Sequence, residues 1–225
     1  MAIILSIETA TTNCSVSLSK EGEIFALKED YNNGFSHAER LHVFIDEILK
    51  ENNIDKSEIQ AVAVSKGPGS YTGLRIGVSA AKGLCFALNI PLISVSTLEA
   101  LAHQVQTSEG IIVSMLDARR MEVYSAIYSS DYQLNRGIQA EILDETSYAQ
   151  ILDKGLVYFV GTGVEKTKNI ITHKNAVFVE NKLPSAKQMG ALAYSKYKIS
   201  DTEDVAYFEP YYLKDFVALK PKPKK

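Results

Sequence analysis

Three groups of residues have the types and spacing to do chemistry. The first is the run Lys66-Gly67-Pro68-Gly69-Ser70-Tyr71-Thr72-Gly73-Leu74-Arg75-Ile76-Gly77, set between an apolar segment and an amphipathic one. Free backbone N–H groups ahead of a helix, together with the positive end of its dipole, suit an anion. The run is not a P-loop, because Leu74-Arg75 follows Gly73 where Lys-Ser/Thr is needed. It is not a dinucleotide fingerprint either, since Thr72 stands where the third glycine belongs. On residue types it reads first as a tight strand-to-helix turn capped by Ser70 or Thr72, and second as a phosphate site.

The second group is Glu8 and Asp117, each closing an apolar run and opening a loop, at residues 9–13 and 118–121. Paired acids facing one cleft can hold a Mg²⁺–nucleotide. Arg119 and Arg120 beside Asp117 equally suit a structural ion pair, and that reading is favoured. The third group is the four histidines His37, His42, His103 and His173. His37 and His42 are five apart, about 500° around a helix, so they do not share a face as HxxxH does. HExxH and GxSxG are both absent, which leaves a metallopeptidase or a serine hydrolase without support.

The elements that must position these groups follow from periodicity. Residues 2–7 are apolar, 15–18 alternate, and 23–28 follow a Glu-Gly turn, giving three strands in a meander. A helix is expected over 36–50, with Ser36 and Glu39 as a capping box. A buried strand over 59–64, a helix to Leu88, a strand over 91–95 and a helix over 97–106 complete the first half. The second half starts again: a shift of 109 residues places Glu8 on Asp117 and 15–18 on 124–127. Strands are expected over 136–143 and 156–160, then Gly161-Thr162-Gly163, a helix over 185–198 and a closing segment at 210–213. The repeated order of elements predicts an α/β fold with an internal duplication, divided as residues 1–106 and 107–225.

Two helices carry more apolar or small surface than one sheet requires. Leu41, Phe44, Ile45 and Ile48 form a wide arc on the first, while Gly73, Gly77, Ala80, Ala81 and Leu84 form a small-residue stripe on the second. Glycine inside a helix costs about 1 kcal/mol, so close packing must compensate. These nine residues are therefore the expected partner interface, with internal packing as the alternative.

Charge and composition set further bounds. The 225 residues carry a net −3, but residues 214–225 hold five lysines and one aspartate, a side-chain +4 that leaves −7 on the rest. A body of that sign does not attract nucleic acid by itself, and the Lys/Pro tail reads as a solvated terminus. No apolar run approaches the ~20 residues of a membrane span. Residues 1–8 lack a basic n-region, and Cys14 and Cys85 read as buried free thiols, so a cytoplasmic location is expected.

Five segments match a known family in order. They are ILSIETATTNCSVSL (4–18), SHAERL (36–41), KGPGSYTGLRIGVSAAKGL (66–84), DARRMEVYSAIY (117–128) and PYYLKD (210–215). The chain resembles the TsaB (YeaZ) family of the bacterial tRNA threonylcarbamoyladenosine machinery. The resemblance implies a duplicated fold of the actin/hexokinase/Hsp70 (ASKHA) type. It implies a non-catalytic scaffold and activator in the complex that places a threonylcarbamoyl group on N6 of adenosine 37, in tRNAs reading codons that start with A. The implied partners are a TsaD-like catalytic paralogue, a TsaE-like ATPase, and a second copy using the same surface; tRNA is met only within the complex. No tightly bound cofactor is expected, ATP and Mg²⁺ being used by the assembly. The family usually carries aspartate where Glu8 stands, so a vestigial nucleotide site at Glu8 and Asp117 is expected to bind weakly or not at all. The alternatives are an ATP-dependent phosphotransferase acting alone and, last, a peptidase.

Overall fold

In the first sheet the central strands are buried on both faces, as a sheet covered on both sides requires. β1 (Ile3–Glu8) is buried from Ile4 to Glu8, and β2 (Cys14–Lys20) from Cys14 to Ser19. β3 (Glu23–Asp30) forms the edge; α1 (His37–Glu51), β4 (Ile59–Ser65), α2 (Tyr71–Leu88), β5 (Leu92–Val95) and α3 (Thr97–Ala102) follow. The second half contributes β6 (Ile111–Asp117), β7 (Glu122–Ser129), β8 (Leu134–Ile142), α4 (Ala149–Leu152), β9 (Val157–Val160), α5 (Val164–Thr167), β10 (Ala176–Val179) and α6 (Met189–Lys198). This computed structural model describes residues 1–31, 34 and 36–214. Most of the Lys/Pro tail therefore lies outside the described residues.

The strand order is β3-β2-β1-β4-β5 in one sheet and β8-β7-β6-β9-β10 in the other. In both, the first three strands in sequence pair antiparallel, and the last two join in parallel. The repeat is thus one of topology, with β1 matched to β6. The helices do not keep to the same halves. Ala186, Met189 and Ala193, in and just ahead of α6, pack with Ile4, Ala61, Ala63, Ile93 and Val95 of the first sheet. α3 supplies Leu98, Leu101 and Ala102 to a cluster with Ile112, Leu116 and Ala126 of the second. Each sheet is therefore closed by an element from the other half of the chain.

Several local expectations change. Ser36 makes no capping bond to the helix; its hydroxyl donates to Asp30 Oδ2 at 3.0 Å, so the expected capping box does not form. Ser70 does cap α2, accepting from Gly73 N at 3.2 Å. α3 stops at Ala102 rather than 106, and its N-cap is Ser96. β10, α4 and α5, four residues each, were not expected. Both cysteines are buried, which pushes the thiols up to about 12 at Cys14 and about 11 at Cys85.

Candidate functional site

The loop at residues 9–13 joins several of the residues that the sequence singled out: Glu8, His37 and the glycines of the 66–77 run. Glu8, at the end of β1, is fully buried. Its Oε1 accepts from Ala10 N at 2.6 Å and from Ser65 Oγ at 2.8 Å, while among the described residues Oε2 has no hydrogen-bond partner. Burial outweighs these bonds and pushes the carboxyl up to about 7. Thr9 Oγ1 donates to Gly73 O at 2.8 Å, Ser70 N to Ala10 O at 2.7 Å, and the His37 Nε2–H to Thr11 O at 2.7 Å. Burial lowers the His37 pKa, consistent with a neutral ring in this role.

This arrangement accounts for the glycines. A Cβ on Gly69 would lie 2.5 Å from Ala10 O, one on Gly73 would strike Thr9 O, and one on Gly77 would strike Thr9 Oγ1. The small-residue stripe lets α2 approach the chain's own 9–13 loop. The Lys66–Gly77 run is thus a capped turn clamped onto that loop, the first of its two readings.

Asp117 sits apart from this cluster. Its carboxylate pairs with Lys166 Nζ at 2.7 Å and accepts from Arg119 N at 2.6 Å. Lys166 also donates to Arg120 O and Glu122 O, clamping a turn in which Arg119 and Arg120 both have positive φ. The ion pair expected with Arg119 or Arg120 is therefore made by Lys166. Among the described residues no hydrogen bond or ion pair joins Asp117 to Glu8. A cavity of about 510 Å³, lined by Thr12, Tyr31, Thr162, Lys168 and Glu180 among others, includes neither acid. Glu8 is sealed in the core, whereas Asp117 lies at the surface, held by Lys166. No group of three His, Cys, Asp or Glu among the described residues is placed to hold a metal.

The expected interface residues require a correction of face. Leu41, Phe44, Ile45, Ile48 and Ala81 belong to the chain's own core beneath α1 and α2, and Gly73 and Gly77 are buried against Thr9. Of the nine, only Ala80 and Leu84 line the open groove of about 700 Å³ between the two helices. Ala38 and His42 of α1 form one wall. Tyr71, Thr72, Arg75, Ile76, Ser79 and Gly83 of α2 form the other. Beyond Gly83 the side chain of Phe86 is 85% exposed, and Val43 on α1 is 43% exposed. The exposed face of α2 is one position around the helix from the stripe that the sequence offered, and Phe86, which the sequence reading did not single out, stands on it.

A search against family models matches residues 34–222 to the family described as "TsaD: tRNA N6-adenosine threonylcarbamoyltransferase". The chain is 32% identical to the tRNA threonylcarbamoyladenosine biosynthesis protein TsaB of Escherichia coli, covering 99% of both chains. It is 30% identical to the protein of that name from Haemophilus influenzae, over 98% of this chain and 97% of that one. Among solved structures it superimposes on YeaZ from Pseudomonas aeruginosa with a TM-score of 0.81 at 27% identity, covering 95% of this chain and all of the other. With two five-stranded sheets of one topology, a duplicated ASKHA-like fold, and this similarity along its whole length, the chain belongs to the TsaB (YeaZ) family.

Proposed function

We propose that this chain serves tRNA threonylcarbamoyladenosine biosynthesis as a scaffold and activator rather than as the catalyst. It docks a TsaD-type catalytic paralogue on the exposed face of α1 and α2, and the pair recruits a TsaE-type ATPase and tRNA. A second copy competes for the same face. ATP and Mg²⁺ act in the assembly, and this chain holds no cofactor of its own. The observation that carries the reading is the open α1–α2 groove with Phe86 standing beside it. An open groove lined by Ile76, Ala80 and Leu84, with a further exposed aromatic on the same helix, marks a contact surface. Glu8, sealed in the core, is not placed to meet a metal–nucleotide, which fits a non-catalytic role. Among the described residues no helix is long and apolar enough to cross a membrane.

The test is reconstitution with the TsaD-type and TsaE-type proteins of the same organism, unmodified tRNA and the threonylcarbamoyl donor. The account expects modified adenosine only when this chain is present, and no ATP turnover by this chain alone. Full transfer without it would overturn the activator role. ATP turnover by the isolated chain would favour the phosphotransferase.

A further inference from the structure

The groove between α1 and α2 has a chemical bias that narrows what can fill it. Its lining carries a permanent cation, Arg75, and an imidazole, His42, but no carboxylate. Arg75 is exposed, and among the described residues it makes no ion pair. Its guanidinium carbon lies 4.7 Å from the centre of the Tyr71 ring, and that ring packs against Tyr212 with centroids 4.9 Å apart. A guanidinium laid on an aromatic face is held in place, and its planar N–H fork still suits a carboxylate.

The support beneath this stack is firm. Residues 203–212 run as a strap from β5 to the start of α2. Glu203 N donates to Leu92 O at 2.8 Å, and Ser94 Oγ donates to Glu203 at 2.5 Å. Lys82 Nζ donates to Ala206 O at 2.9 Å and Phe208 O at 3.0 Å, and Tyr211 N to Lys66 O at 2.7 Å. Lys214, just beyond, reaches Glu122 at the start of β7. Tyr212 is thus fixed by the strap, and the strap becomes part of the docking surface through Tyr71.

We propose that the groove's occupant is an apolar surface of a different chain that carries a carboxylate opposite Arg75, and that Arg75 decides which partner is accepted. This rests on the docking reading above and names the chemistry of the partner at that surface. Charge complementarity favours this occupant: among the described residues Arg75 has no counter-ion, and it is preorganised beside an apolar floor in a body that is otherwise acidic. A second copy seated lining against lining would bring no carboxylate to Arg75; the exposed acids of its α1, Glu39 and Asp46, lie outside that lining.

The test is isothermal titration of the full chain with its TsaD-type protein at low and moderate salt. Wild type is compared with Arg75→Gln, Arg75→Lys and Gly83→Leu, with light scattering on each chain alone and a thermal melt to confirm folding. The expected result is a 10- to 100-fold weaker complex for Arg75→Gln, with most of the salt dependence gone. Arg75→Lys should recover only part of the affinity, and Gly83→Leu should bind least. Wild-type affinity and salt dependence in Arg75→Gln, with binding lost in Gly83→Leu, would overturn the role of Arg75 and leave the docking surface standing. Unchanged binding in both would overturn the docking surface itself. A tight homodimer lost on Arg75→Gln would overturn the assignment to a different chain.

Discussion

At the scale of single residues, Glu8 sets the most unusual condition. A carboxyl raised from 4.5 in the unfolded chain to about 7 in the fold binds its proton more tightly when folded. Its contribution to stability is therefore fully present below pH 4.5, declines as pH rises towards 7, and is gone above that. A shift of this size corresponds to about 3 kcal/mol across the window. Urea unfolding at pH 5, 6, 7 and 8 should show wild type losing stability relative to Glu8→Gln, which cannot ionise. Parallel curves for the two proteins would contradict the assignment. The acid itself was legible in the sequence as the end of an apolar strand. Its sealing by Ser65 was not, because the two are 57 residues apart and meet only when β1 and β4 pair. The Lys166–Asp117 pair was hidden for the same reason, with 49 residues between its members.

At the scale of elements, α2 shows what periodicity reveals and what it leaves open. Small residues at i, i+3 and i+4 correctly indicate a face under close approach, but they do not say whose backbone approaches. Here it is the chain's own 9–13 loop, so Gly77 belongs to the interior and Gly83 to the surface. Gly77→Ala should destabilise by about 1–3 kcal/mol, because the added carbon displaces Thr9 and its bond to Gly73. Gly83→Ala meets nothing within 4 Å and should stabilise by about 0.5–1 kcal/mol through helix propensity. Thermal melts of the two variants check the pair, and shifts of the same sign would contradict the facing of the helix. Long periodic segments were legible: β1, α1, β4, α2 and β6 lie within two residues of their expected ends. The short β10, α4 and α5 were not: β5 and β9 have the same length but are apolar runs bounded by proline or glycine, a signal the other three lack.

At the scale of the molecule, the repeated topology coexists with exchanged helices. α6 closes the first sheet from the far end of the sequence, and Asn13 and Ser17 bond to Pro184 O and Ala186 O just ahead of it. The order of elements was enough to suggest the duplication, but a helix pattern carries no label for the sheet that it covers. A fragment of residues 1–106 would leave Ile4, Ala61, Ala63, Ile93 and Val95 without α6. It should therefore lack a cooperative melt, whereas the whole chain should unfold in one transition by far-UV circular dichroism and tyrosine fluorescence. A cooperative, monomeric fragment would contradict this interdependence.

The central claim is that the exposed face of α1 and α2, rather than the buried stripe, receives the catalytic paralogue. Its most direct test is size-exclusion chromatography with light scattering on mixtures with the TsaD-type protein, using wild type and Phe86→Asp. Phe86 is exposed, so the variant should keep the wild-type melting temperature. The account predicts a heterodimer for wild type and separate peaks for Phe86→Asp at the same concentrations. A folded Phe86→Asp that still elutes as the heterodimer would place the interface elsewhere and contradict the account.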